Sequence, residues 1–224
     1  MAALAAVPAA LACGSNGYTY AGLASPSKTH GVGARLTAIG ASSVANGHIA
    51  GWVGVGGPGE GPHGSNEWLQ VGSAAFPSII GSDVYYEVAR PGRYPTYHQV
   101  SAGVAVGTYT KVTVLEMHGR ANWWRVWVNH KPVSAPIRLP ESRDGLMSIA
   151  TSESWDGGTG GMCNDFLYRF RHVSIARAPG GDWQQLTSGY PIQSAVSHIQ
   201  QARGSAGFLA AEGRSAFQFL AATS

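Results

Sequence analysis

The run Trp68-Leu69-Gln70-Val71 places an amide inside an apolar stretch, at the far end of a glycine-, proline- and polar-rich loop that follows Trp52. A buried amide needs partners for its donors and its acceptor, so Gln70 is either satisfied within the fold or aimed at a ligand. Three carboxylates raise the same question. Glu87 in VYYEVARP, Glu116 in VTVLEMH and Glu153 in IATSESW lie within or at the ends of strand-like runs, where an ionised group is costly without a partner or a task. Glu153 is the sharpest case, because it precedes Trp155 and opens into WDGGTGG, a glycine-rich segment that lets a second backbone or a ligand approach closely. The acids Glu60, Glu67, Asp83, Glu141, Asp144, Asp156, Asp165 and Asp182 fall mostly in loops and read as solvated.

Other chemistries lack their residues. There is no G-x-S-x-G elbow, no glycine-rich loop ending in Lys-Ser or Lys-Thr, and no H-E-x-x-H. The eight histidines are dispersed, and no two stand at zinc-ligand spacing with a cysteine or carboxylate companion; no metal and no cofactor is expected. Cys13 and Cys163 are the two cysteines, and neither sits beside a candidate base, so a thiol nucleophile is not expected.

The elements that must position Gln70 and the acids are strands. Runs rich in Val, Ile, Tyr and Trp, separated by Gly and Pro, predict strands near 34–39, 49–55, 68–71, 84–90, 98–106, 110–117, 124–129, 148–153 and 166–176. Several alternate cleanly: Val112, Val114 and Glu116 share one face, and Trp124, Val126 and Val128 oppose Arg125 and Trp127. About nine strands without crossover helices imply an all-β, antiparallel two-sheet sandwich. With 224 residues, 44% hydrophobic and only 12% charged, the chain is long enough for one such domain.

That domain is expected over residues 13–187. Residues 1–12 read as a signal-like segment, with Ala10-Leu11-Ala12 fitting the A-x-A cleavage rule, although the basic n-region is missing and an Ala-rich leader is the alternative. Export would favour a Cys13–Cys163 disulfide, closing a loop of about 150 residues and restricting the unfolded chain by about 5 kcal/mol in the entropic account. Lipidation at Cys13 is the competing fate, and it excludes the disulfide. Residues 188–224 form an Ala-rich tail in which Ile192, Val196 and Ile199 have helical spacing after Pro191; a short helix or loosely attached segment is expected, dispensable for folding. The net charge of +3 comes from scattered basic residues with no run forming a patch, so no nucleic-acid partner is expected. No run of eighteen apolar residues follows the N-terminus, so no membrane span is expected.

Taken in order, WVGVGG, a loop, LQVG, YYEVARPGRYP and SESW resemble the glutamic peptidase family, the eqolisins, over roughly residues 34–177. The family's pattern runs Trp-Val-Gly-Ile, Leu-Gln-Thr-Gly, Tyr-Glu-Trp-Tyr-Pro and Ala-Glu-Trp. The resemblance implies a secreted acid endopeptidase acting on polypeptides, on a concanavalin A-like jelly roll, and a monomer is expected. Gln70 and Glu153 match the catalytic pair, Trp52 the cleft tryptophan and Glu87 the acid of the Tyr-Glu pair; Trp68 and Trp155 flank them as substrate-binding candidates. In such a pair the carboxylate takes a proton from water, the amide stabilises the oxyanion, and no like charge sits between the two. The chain departs from the pattern at Gly56, Val88 and Ser154.

Two other readings stay open. A non-catalytic carbohydrate-binding module would stack sugars on Trp123, Trp124 and Trp127 of a concave face. A glycoside hydrolase needs two acids across one bond, and no clustered pair is present in the sequence.

Overall fold

The computed structural model describes residues 17–39, 43–156, 164, 167–193, 208–210 and 217–222. The signal-like segment 1–12 and both Cys13 and Cys163 lie outside the described residues. Among those described there are sixteen strands and one 3-10 turn at Pro62–Gly64. In chain order the strands are β1 (Tyr18–Thr29), β2 (Gly31–Ala38), β3 (His48–Gly57), β4 (Glu67–Ala75), β5 (Ser82–Ala89), β6 (Thr96–Val104), β7 (Tyr109–Glu116), β8 (Trp123–Val128), β9 (Lys131–Pro132), β10 (Ile137–Arg138), β11 (Leu146–Trp155), β12 (Leu167–Ala178), β13 (Gly181–Gln185), β14 (Tyr190–Gln193), β15 (Phe208–Ala210) and β16 (Phe217–Ala222). All pair antiparallel, in two sheets. The first runs β14-β1-β11-β3-β4-β5-β6; the second runs β10-β8-β7-β2-β12-β16-β15, with β13 beside β12 and β9 beside β8. The protein is an all-β sandwich.

Alternation decides which residues meet between the sheets. Val53, Val55, Leu69 and Val71 face inward from the first sheet and pack with Val32, Leu36, Val112, Val114 and Phe170 of the second in one continuous core. Gly51 makes room for the second sheet: a Cβ there would stand 2.6 Å from the ring of Tyr168, whose hydroxyl donates to Ser73 O at 3.3 Å. Trp124 is fully buried, and its indole donates to Ser142 Oγ at 2.7 Å. It therefore cannot serve as a sugar platform, and Trp123 and Trp127, its neighbours on β8, sit in the second sheet.

Three sequence expectations change. Ile192, read at helical spacing, lies in β14, which pairs with β1 from Ala21 to Ala24, and β16 pairs with β12. Those tail segments are strands, while Val196 and Ile199 lie outside the described residues. Glu67 and Asp83, read as solvated, are buried. Glu67 opens β4 with its side chain turned to the core side and accepts the Glu141 amide at 2.9 Å; Asp83 accepts from Gln99 Nε2 at 2.8 Å and Tyr97 Oη at 3.4 Å. Finally, β1 was not anticipated, because YTYAGLASPSKT breaks its alternation at a register shift between Ala24 and Lys28.

Candidate active site

Every second residue of the first sheet points away from the core, and these residues line a cleft of about 720 Å³. Register fixes its rows. Ile149, Gly54, Gln70, Glu87 and Tyr97 stand side by side across β11, β3, β4, β5 and β6. Tyr20, Glu153, Ala50, Ala74 and Asp83 form a parallel row across β1, β11, β3, β4 and β5. Between them lies the row of Thr151, Trp52, Gly72 and Tyr85. Gln70 and Glu153 are thus offset by four residues along β3, roughly 13 Å at the rise of a strand, with Trp52 between them.

The structure brings Gln70, Glu153, Trp52, Glu87 and Trp68 to the cleft wall and places Trp155 at its rim, 40% exposed and stacked on His48 at 5.8 Å. Gln70 is buried to 7% exposure, and its Nε2 donates to Tyr85 Oη at 3.1 Å, which occupies one of the two amide N–H groups. Gly54 lets it lie flat on β3: a Cβ at Gly54 would stand 2.8 Å from Gln70 Cβ. Glu153, 4% exposed, faces His48 Nε2 at 3.4 Å. The indole of Trp68 donates to Glu87 Oε1 at 3.0 Å. Trp52 packs with Ala50, Ala74 and Tyr85 on the cleft floor, and its Nε1 is buried with no hydrogen-bond partner among the described residues.

The carboxylates do not act independently. Burial pushes the Glu87 carboxyl above its ordinary range, the Trp68 hydrogen bond works the other way, and the charge of Glu153 adds to the rise. The like charge therefore acts between Glu87 and Glu153, not within the Gln70–Glu153 pair. Burial, with Glu153 and Glu87 contributing, also raises the phenol of Tyr18 to about 12 and that of Tyr85 well above its usual value. These phenols stay neutral and can donate throughout the acid and neutral range.

Glu116 does not belong here. It is fully buried in the second sheet, accepting His30 Nδ1–H at 2.6 Å and the Asn122 amide at 2.8 Å, a structural anchor. The sequence reading missed the aromatic lining: Tyr18 and Tyr20 stack at 5.7 Å, and Tyr85 and Tyr97 at 4.9 Å. It also missed His48. The signal was present in the even positions His48, Ala50, Trp52 and Gly54 of one strand, which share a face. The described residues hold no group of three or more His, Cys, Asp or Glu arranged for a metal ion.

No protein-family model and no curated protein matches the sequence. Solved structures do match. Scytalidoglutamic peptidase with a peptide-based transition-state analogue is 15% identical with a TM-score of 0.54, covering 92% of this chain and 97% of that one. A second structure of that peptidase, with a transition-state analogue inhibitor, is 14% identical with a TM-score of 0.54 and the same coverage. SCP-B, a member of the eqolisin family in complex with the tripeptide Ala-Ile-His, is 15% identical with a TM-score of 0.51, again covering 92% and 97%. At this identity the likeness shows a shared fold, over nearly the whole of both chains.

Proposed function

We propose that the protein is an exported acid endopeptidase of the glutamic type. The observation that carries this reading is the convergence of Gln70, Glu153, Glu87 and the unpartnered Trp52 Nε1 on one cleft wall. A peptide lying over Trp52 has its scissile carbonyl between the Gln70 and Glu153 rows, within reach of both long side chains. Glu153 takes a proton from water as the water oxygen attacks the carbonyl carbon, and the second N–H of Gln70 holds the oxyanion. Collapse breaks the C–N bond, and Glu153 returns the proton to the leaving amine. Glu87, kept protonated further up the pH scale than an ordinary carboxyl, donates a hydrogen bond to the bound peptide. The aromatic walls favour a substrate with apolar side chains.

The test is hydrolysis of a denatured protein between about pH 2 and 7, with pepstatin present to suppress aspartic peptidases and unfolding curves in parallel. Glu153→Gln abolishes cleavage, and Gln70→Ala lowers kcat by a factor on the order of a hundred to a thousand. The double variant is little worse than Glu153→Gln, because groups acting as a unit are not additive. An inactive wild type across that range sinks the reading; an active Glu153→Gln protein transfers the base role to Glu87.

A further inference from the structure

The outward face of the second sheet carries a second hollow, of about 420 Å³, on the side of the sandwich opposite the cleft. Its composition is unlike the cleft's. Lys111 on β7 stands directly opposite Arg35 on β2, so two cations lie side by side on neighbouring strands. Like charges in register repel, and a fold tolerates such a pair most readily where an anion lies over it. Among the described residues no carboxylate forms an ion pair with Arg35 or Lys111.

Indoles close the hollow at both ends. Trp127 on β8, half-buried, pairs with Thr113 on β7 one outward step along from Lys111, and Trp183 on β13 is 43% exposed. Four strand spacings separate them, roughly 19 Å. The floor between is Thr113, Gly33 and Ser174, side by side in register and without rings, while His130 and His172 line the hollow around it. Indoles at a surface present flat apolar faces to the C–H faces of sugar rings, and hydroxyls and cations suit the polar edges and acidic substituents of the same rings. A nucleic-acid strand would instead stack successive bases on interleaved aromatics, which the Thr113–Gly33–Ser174 floor does not offer.

We propose that this face binds an acidic polysaccharide, a chain of carboxylated sugars lying across β8, β7, β2, β12 and β13, with carboxylates on Lys111 and Arg35 and end rings on Trp127 and Trp183. The site is independent of the cleft chemistry. It gives the protein a means of staying on an acidic glycan matrix while the other sheet acts.

The test is a tryptophan-fluorescence and calorimetric titration of the full chain with a defined oligogalacturonate, a neutral cello-oligosaccharide of equal length and an oligothymidylate. Saturable binding of the oligogalacturonate that weakens with salt is expected. Lys111→Gln with Arg35→Gln, and separately Trp127→Ala, each weaken it about tenfold or more. If Trp127→Ala unfolds, Trp127→Phe replaces it and retains part of the binding, and the Lys111/Arg35 variant decides alone. Neither set changes hydrolysis at the cleft, so loss of glycan binding and loss of peptidase activity are read separately. No binding, equal binding of the neutral glycan, tighter binding of the oligothymidylate, or affinity unchanged by the variants each overturns the proposal.

Discussion

His48 reaches the carboxylate of Glu153 at 3.4 Å while its ring is stacked on Trp155 at 5.8 Å, so the imidazole is held from one side by an indole and aimed at the cleft acid from the other. The two residues are diagonal neighbours across β3 and β11: His48 is the register partner of Trp155, and Glu153 that of Ala50. On the proposed function, His48 is a positioning residue that fixes the carboxylate of Glu153.

Removing that contact should therefore cost turnover more than binding. His48→Ala is expected to lower kcat about tenfold with KM little changed, and His48→Gln, whose amide also donates, is expected to restore most of the loss. Steady-state kinetics of the three proteins check this. Equal losses in both variants, tracking their unfolding midpoints, would make the histidine merely structural.

Glu67 ties stability to pH. Burial pushes its carboxyl above the ordinary carboxylate range, outweighing the Glu141 amide it accepts, and its second oxygen is buried with no hydrogen-bond partner among the described residues. A raised folded-state value means the native protein holds the proton more tightly than the unfolded chain. The contribution is fully present below the unfolded carboxyl range and is lost as pH rises through the folded value. Glu87 acts in the same direction. Urea midpoints are expected to fall as pH rises from about 4 toward neutrality, and Glu67→Gln, which still accepts the Glu141 amide, should flatten that fall. A wild-type midpoint that rises with pH over this window, or an unchanged slope in the variant, contradicts the assignment.

Gly54→Ala tests how tightly Gln70 is seated. The new methyl would meet Gln70 Cβ and Leu69 O, both at 2.8 Å, and backbone cannot yield as a side-chain tip can. A destabilisation of about 1–3 kcal/mol is expected, with Gln70 displaced and cleavage impaired. Denaturant unfolding together with the kcat of the variant decides it; a protein of wild-type stability would show that the strands separate freely here.

A chain ending at Ser188 lacks β14 and β16. The first removal uncovers the edge of β1 from Ala21 to Ala24 and takes Ile192 from the cleft lining; the second uncovers β12 from Leu167 to Arg171. Open edges invite pairing with other chains. The truncated protein is expected to unfold at lower denaturant and to self-associate, as read by urea titration and sedimentation. Unchanged behaviour in both would show that the tail strands are dispensable.

Much of the fold was legible because apolar alternation reports which side of a strand is buried. Trp124, Val126 and Val128 against Arg125 and Trp127 is one example: the structure buries Trp124 and Val126, packs the half-buried Val128 against the same core and leaves Arg125 and Trp127 half-exposed on the other face. Gln70 and Glu153 were legible as candidates because polar residues in apolar runs are conspicuous. What escaped was whatever depends on register between distant strands. Lys111 and Arg35 lie far apart along the chain, and only pairing places them side by side. The buried Glu67 looked like a loop residue because its partner, the Glu141 amide, comes from far along the chain. Nor does local sequence say that Ile192 belongs to the cleft, since β14 reaches it by pairing with β1 at the other end of the chain.

The strand order of the first sheet also governs when the cleft exists. β3, β4, β5 and β6 are successive hairpins, so Trp52, Gln70 and Glu87 can gather from local pairings. β11 instead inserts between β1 and β3, carrying Glu153 into place from about a hundred residues downstream of β3. Non-local pairings of this kind are slow, because a long loop must close before any contact repays it. On the proposed function, a nascent or half-folded chain therefore displays Gln70 without Glu153, and remains chemically silent until the sandwich has closed around β11.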